Sequence, residues 1–490
     1  MRRPALPALL LLAAAGAGCL MGPDYARPKL DPPAAYEHAI ADAKETANTA
    51  WWTQFEDPVL DSLIAEALAH NRSVKIAAAN VEAAAAVLVQ TKSPLYPSVG
   101  YGASAARQKS SELNAGGWNA QVPNPYSSFQ LAGSASWELD LWGRIRRLSE
   151  AARADLLATE EARRGVVLSL VASVAGSYLQ LRGLDEQLEI ARRSLESYGE
   201  SVRIFELQFK HGLVSQMTVE QARTQYETAA AAVPQIESAV VQTENGLSLL
   251  LGRGPGAIPR GRSVRDLAMP PVPAGLPSTV LESRPDVRQA EEGLVAANAR
   301  IGAAKALYFP TISLTGALGA SSADLSNLFK GPAGLWSYAG SITGPLFNAG
   351  AIRAGVRVSE AGRTAALLAY QDAVESAFAD VENALSSRTK LVEETEARGR
   401  LVRAAREYER LATLQYKGGY APYATVLQAQ EKLFPNELDW AKARTALLNS
   451  LVTIYRAMGG GWVAEAEGLA VPPAPPAATS RDAPAPPAGS

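Results

Sequence analysis

Few residues in this chain are placed to do chemistry. Three histidines and one cysteine stand among 490 residues. His38, His70 and His211 fall in a linker-like stretch, on a helix face and at a turn. None has a nucleophile or carboxylate at motif spacing, so nothing here reads as an enzyme. The acidic residues are scattered along helix faces, as on a solvated surface. Metal and cofactor sites lack material, since His and Cys are the usual soft ligands. Cys19 is the exception. Arg2-Arg3 is basic, and Leu6 to Ala17 is apolar but too short to span a bilayer. Gly16-Ala17-Gly18 then supplies small residues. The pattern reads as a signal peptide over 1–18, cleaved so that Cys19 becomes an N-terminus able to carry lipid. Ordinary cleavage among the alanines, leaving a spare cysteine, is the alternative.

The elements around these residues are duplicated. Gln208-Phe209-Lys210-His211-Gly212 returns as Gln415-Tyr416-Lys417-Gly418-Gly419, a shift of about 207 residues. That shift holds from Gly143/Gly350 to Leu251-Gly252/Met458-Gly459. Upstream it is about 213: Tyr96-Pro97-Ser98-Val99 matches Phe309-Pro310-Thr311-Ile312. Solenoid repeats run about 20–50 residues, so this is a gene-level duplication. It divides the chain into an anchored, extended segment (19–59), a first repeat (60–252), a Pro/Gly-rich linker (253–279), a second repeat (280–462) and a Pro/Ala-rich disordered tail (463–490). With 47 basic and 49 acidic residues, no general attraction to nucleic acid is implied.

Each repeat holds two segments that alternate with period two: Ser98 to Ala106 and Ser128 to Leu141 (hairpin 98–141), then Thr311 to Leu318 and Trp336 to Thr343 (hairpin 311–346). Their lengths suit strands crossing an outer membrane, with small polar residues on one face and apolar or aromatic residues on the other. A soluble half-buried sheet gives the same alternation. Two hairpins separated by helices would be marginal in water, which favours the membrane. Four strands cannot close a barrel. Open edges in lipid cost several kcal/mol per unsatisfied backbone group, so membrane strands here require oligomerisation.

Long helices follow. Val167, Val174, Leu181, Leu188, Leu195, Val202 and Phe209 recur every seventh residue, with Leu170, Leu184, Ala191, Tyr198 and Phe205 beside them. Arg146 to His211 would span about 100 Å. Val219, Tyr226, Val233, Val240 and Leu247 form the returning seam, repeated as Val426, Leu433, Trp440, Leu447 and Ile454. The outgoing helix of the second copy, Arg353 to Lys417, places Arg388 and Glu409 on the seam register, which suggests packing by another face. Shorter helices are expected over Leu60 to Thr91 and Arg284 to Leu307. Helices alone also fit a periplasmic coiled-coil scaffold lipoprotein.

Several motifs resemble one family. They are Cys19-Leu20-Met21-Gly22-Pro23-Asp24-Tyr25, Trp51-Trp52 with Asp57-Pro58, Arg284-Pro285-Asp286-Val287-Arg288, Pro345-Leu346-Phe347 before Gly350, and Met458-Gly459-Gly460-Gly461-Trp462. The chain resembles the TolC-like outer-membrane efflux factors, NodT lipoprotein branch. Gly16 stands where the usual lipoprotein box has leucine. Leu20, in place of an aspartate, points to the outer membrane. The resemblance implies a mixed α and β fold and a homotrimer. Twelve strands would form an outer-membrane β-barrel, continued by a long periplasmic α-helical barrel. A periplasmic membrane-fusion adaptor and an inner-membrane pump, for example of the resistance-nodulation-division type, would complete the route. The adaptor-contacting tips would be Gly212, Val214, Ser215, Gly419, Ala421 and Pro422. The periplasmic constriction would involve Thr218, Gln221, Ala424, Thr425 and Gln428. The family's usual aspartate is replaced by Gln428. Three such amides could close by hydrogen bonds between chains, or Gln428 could simply face solvent. The implied function is a passive exit duct for drugs or other small molecules. Type I protein secretion through the same duct is the alternative.

Overall fold

The computed structural model describes residues 20–29, 36–37, 50–111, 123–270, 272 and 283–459. They form two compact units. The first takes the described residues within 1–30, 79–160 and 289–372, and the second those within 31–78, 161–288 and 373–490. The tail and Cys19 lie outside the described residues.

The first unit holds an antiparallel four-stranded sheet in the order β1 (Ser98–Gln108), β2 (Tyr126–Leu139), β3 (Thr311–Ser322), β4 (Gly334–Thr343). Pro97 and Pro310 disfavour helix in the residue before them and stand just ahead of β1 and β3. Register puts the large apolar residues on one face, apart from Leu335 and Tyr126. Tyr101 opposes Gly133, Leu318 opposes Gly133 and Trp336, and Tyr338 opposes Gly316. Tyr101, Leu318 and Tyr338 thus each lie beside a bare glycine backbone. The other face carries Ser98, Ser134, Ser136, Thr315, Ser337 and Ser341. Its Ser98 and Ser136 hydroxyls lie 2.8 Å apart. The apolar face is uncovered: Tyr101 is 91% exposed and Tyr338 81%. β1 and β4 are the sheet's two free edges.

β2 ends two residues earlier than its alternation suggests, because Asp140 caps the following helix. Its carboxylate accepts from the backbone N–H of Ile145 (3.0 Å) and Arg146 (2.9 Å). That helix, α3 (Arg144–Lys210), and its copy α6 (Ala351–Lys417) each run 67 residues, about 100 Å at 1.5 Å per residue. α5 (Pro285–Ala306) packs on the start of α3 through Ala151, Ala154, Ala296 and Ala299.

The expected helix over Leu60 to Thr91 is two helices, α1 (Pro58–His70) and α2 (Arg72–Lys92). Asn71 breaks it. Its backbone is extended (ψ 132), and its side-chain oxygen caps α2 through the N–H groups of Ser73 and Val74. By length and composition, the spans Arg72–Leu95 and Arg144–Lys210 each hold an apolar stretch long enough to cross a membrane. Half of that stretch in the latter is buried, as in a core helix.

In the second unit, α3 and α6 turn back as α4 (Gln216–Leu250) and α7 (Tyr423–Ala457). α6 packs by the same face as α3. Val374, Ala377, Val381, Ala384, Val402, Ala405 and Ala412 are buried at the register of the first copy. Arg388 and Glu409 are half-buried interruptions within that seam, so the second helix does not use a different face.

Two segments expected to be extended or linking are packed. Trp51–Phe55 is a 3₁₀ turn whose Trp51 stacks on Tyr455 at 5.0 Å. After α4, Ile258, Val264 and Leu267 are buried. Buried Asp57 joins the two segments, accepting from the Tyr178 hydroxyl (2.7 Å) and the Arg262 N–H (3.1 Å). Burial, reinforced by that Asp57 bond, pushes the Tyr178 pKa up.

Candidate functional site

The two turns between long helices have the same construction. Gly212 (φ 71) and Gly419 (φ 76) take the left-handed backbone that glycine adopts without strain. Leu213 N–H donates to Gln208 C=O and Gly212 N–H to Phe209 C=O, both at 2.9 Å. Tyr420 to Gln415 (2.9 Å) and Gly419 to Tyr416 (3.0 Å) repeat the pattern. The starts of the returning helices differ. Ser215 caps α4 with its side chain, accepting from Thr218 N–H, whereas Pro422 caps α7 with no side-chain bond.

Beneath both turns lies one cluster. It contains Phe205, Val219, Tyr423, Val426 and Leu427, with Val214, Tyr408 and Tyr416 against it. The Phe205 and Tyr423 ring centroids are 3.9 Å apart. Sequence reasoning picked the turn glycines but missed the apolar side chains around them that point to water. Tyr420 is 88% exposed, Leu213 73% and Met217 67%. Leu213 and Tyr420 sit in the turns and Met217 at the start of α4, all off the seam.

The residues assigned to the constriction lie in the first turns of α4 and α7. Thr218 is half-buried, its hydroxyl 3.3 Å from that of Ser215, and Gln221 is exposed. Ala424 is exposed. Thr425 is half-buried and donates its N–H to Pro422 C=O at 3.1 Å. Gln428 is exposed, flanked by the buried pair Val426-Leu427 and by buried Ala429. The protomer brings the two turns to one cluster but joins no constriction residue of α4 to one of α7. The first carboxylate on α7 is Glu431, exposed one turn beyond Gln428, and the sequence reading missed it.

A third feature lies in the first unit. Leu20 to Asp24 is clamped where β2 passes into α3. Arg147, with its side chain 2% exposed, donates to Met21 C=O (2.9 Å), the Asp24 carboxylate (2.8 Å) and Glu150 (2.8 Å). Asn298 donates to Pro23 C=O at 2.9 Å. Gly22 (φ 91) lies on Gly302 so closely that a Cβ would collide with its backbone. Leu20 covers Gly143. The residue after Cys19 is therefore fixed at the junction of strand and helix.

Comparison with known proteins agrees with this geometry. The family model described as "Outer membrane efflux protein" matches residues 63–253 and 276–460, one match on each repeat. The chain is 35% identical over 452 residues to "Probable efflux pump outer membrane protein TtgC" of Pseudomonas putida, covering 91% of this chain and 93% of that one. It is 34% identical over 463 residues to "Cation efflux system protein CusC" of Escherichia coli, covering 92% and 97%. The crystal structure of the open state of the Neisseria gonorrhoeae MtrE outer membrane channel superposes with a TM-score of 0.81. It is 32% identical, with 91% of this chain and 99% of that chain covered.

Proposed function

Because the chain belongs to the outer membrane efflux protein family, we propose that it is the exit duct through which drugs or other small molecules leave a tripartite efflux system. It is an outer-membrane channel component, as its relatives are named efflux pump outer membrane proteins and its structural neighbours outer membrane channels. The observation that carries the reading is the sheet. It has one uncovered apolar face, one small polar face and two free edges. In lipid, those edges demand partners. Three copies supply them, β1 of one meeting β4 of the next, and the Ser/Thr/Gly face then lines a wet lumen.

Transport through such a duct is passive. Direction comes from the inner-membrane pump, handed on by the periplasmic adaptor. Leu213, Met217 and Tyr420, presented on the rigid glycine turns, supply the apolar contact for the adaptor. A Gln428 ring with Thr218, Gln221, Ala424 and Thr425 narrows the tunnel without charge, and therefore discriminates weakly between cations and anions. Lipid on Cys19 tethers a chain whose Leu20–Asp24 strap is held where β2 passes into α3. The relatives named for toluene, antibiotics and cations support small-molecule cargo over protein secretion.

Dye export tests the reading. A strain lacking its own exit ducts should regain export of a fluorescent dye when this chain is supplied with a cognate adaptor and pump. Tyr420→Asp should lower export and adaptor cross-linking while leaving the trimer folded. Export that fails to recover despite assembled trimers in the outer membrane would contradict the proposal.

A further inference from the structure

The duplication gives an internal control for one cavity in the second unit. It measures about 510 Å³ and lies between the segment after α4 and the middle of the α6–α7 hairpin. Leu447, Leu448 and Val264 give it an apolar floor, and Trp440 an aromatic wall. Four guanidiniums reach it: Arg265, Arg400, Arg403 and Arg444. Opposing charge is short. Glu186 takes Arg265 at 2.7 Å and Arg444 at 3.5 Å, and Glu396 approaches Arg400 only to 3.9 Å. No ion pair holds Arg403 among the described residues. Arg444 stands over the Trp440 ring, 5.3 Å from its centroid. Burial, only partly offset by Glu186, pulls the Arg444 pKa down.

The first repeat shows the same place with acidic residues set among the basic ones. Shifted by the repeat length, Gly399 corresponds to Arg192, Arg403 to Glu196, Trp440 to Val233 and Arg444 to Glu237. There Arg192 bonds Glu237 at 2.6 Å, and Arg193 reaches Glu437 at 3.5 Å. In the second repeat that interhelical salt bridge is gone. One partner has become glycine, and the Trp440 indole lies against the bare backbone, 3.2 Å from where a Cβ would sit. The other partner has reversed its charge. A cavity of about 470 Å³ lies there in the first repeat too, so the three changes keep the space, add an aromatic wall and leave the positive charge only partly opposed, by Glu186 and Glu396. A volume near 500 Å³ with an apolar floor and a few convergent polar groups is the make-up of small-ligand sites.

We infer that this cavity binds an amphipathic organic anion, a sulfonate, carboxylate or phosphate carried on a planar apolar body. The body lies on Trp440 and the leucines, and the anion is held by Arg403 and Arg444. Guanidinium pairs with such groups through two parallel hydrogen bonds, which neutral analogues cannot match.

Calorimetry on the purified detergent-solubilised trimer tests this, with naphthalene-2-sulfonate and neutral 2-naphthol as probes. The trimer should bind the sulfonate at one site per chain, about tenfold or more tighter than the naphthol, as charged hydrogen bonds of this kind imply. The triple variant Gly399→Arg/Trp440→Val/Arg444→Glu clears the indole from position 399 and rebuilds the first repeat's salt bridge. It should fold and lose the preference. Arg403→Glu, at an exposed side chain without an ion pair, should weaken sulfonate binding by about tenfold on the same grounds. No binding to the parent trimer would overturn the inference, as would equal affinity for the two probes. So would a preference unchanged in Arg403→Glu.

Discussion

The two helical hairpins descend from one sequence and are held together differently. In the first, the companion row Leu170, Leu184, Ala191, Tyr198 and Phe205 is buried from end to end. Its interhelical ion pairs, Arg192–Glu237 and Arg223–Glu206, sit on the surface with side chains 45–61% exposed. In the second, Arg388, Thr395 and Glu409 interrupt the seam, and beside the surface pair Arg398–Asp439 one interhelical link has a buried carboxylate. Glu437, 8% exposed, takes Arg406 at 2.6 Å and Arg193 of the first hairpin at 3.5 Å. Each hairpin also seats one aromatic ring on a glycine, Tyr226 at Gly199 and Trp440 at Gly399. Through the 207-residue shift, those sites fall one heptad apart. Duplication preserved the register, then let the copies exchange apolar packing for polar links. The lesson is that a heptad pattern fixes which face packs, while the residues that interrupt it mark where the copies took on separate tasks.

Substitutions test this contrast, and the largest effect is expected where the hairpins share one core. Phe205→Ala removes a ring buried to 2% among residues of both repeats. It should cost about 3–5 kcal/mol in denaturant unfolding of the helical region. Glu437→Ala leaves Arg406 and Arg193 without their common partner. Both arginines are about half exposed, so the loss should be near 2 kcal/mol. An equal loss from Glu237→Ala would erase the distinction drawn between the buried and the surface link. Gly419→Val forces a β-branched residue into the left-handed region, at about 1–2 kcal/mol. Gly212→Val should cost the same if the two tips are as alike as their hydrogen bonds indicate. The smallest change is Glu237→Ala, below about 1 kcal/mol, because solvent screens the pair it removes.

Much of this contrast was legible in the sequence. Period-two alternation marked the strands, since a sheet face in lipid tolerates few exceptions. Heptads marked the long helices, and the glycines at 212 and 419 marked their ends. Side chains that act on backbone were harder to read. Asn71 splits one expected helix, and Asp140 shortens β2, because each carries a short polar group that outbids the regular pattern locally. The packing of 253–270 also escaped, since Pro and Gly suggested a tether while Ile258, Val264 and Leu267 are anchors. For the site, the turns were legible but Tyr420, Met217 and Glu431 were not. No periodicity distinguishes an apolar residue kept for a partner from one tolerated at the surface. The Gly399–Trp440–Arg444 cavity becomes visible only when the repeats are compared position by position.

Ion conduction through purified trimers in planar bilayers tests the central claim most directly. A duct closed by three sheets and narrowed by neutral Gln428 should pass discrete, trimer-dependent currents with weak ion preference. Gln428→Asp places three carboxylates at that ring. Their repulsion should raise the resting conductance, and their charge should favour cations, both less so in high salt. Trimers that insert but conduct nothing, in either form, would contradict the account. Currents indifferent to Gln428→Asp would keep the duct and remove Gln428 from its narrowest point.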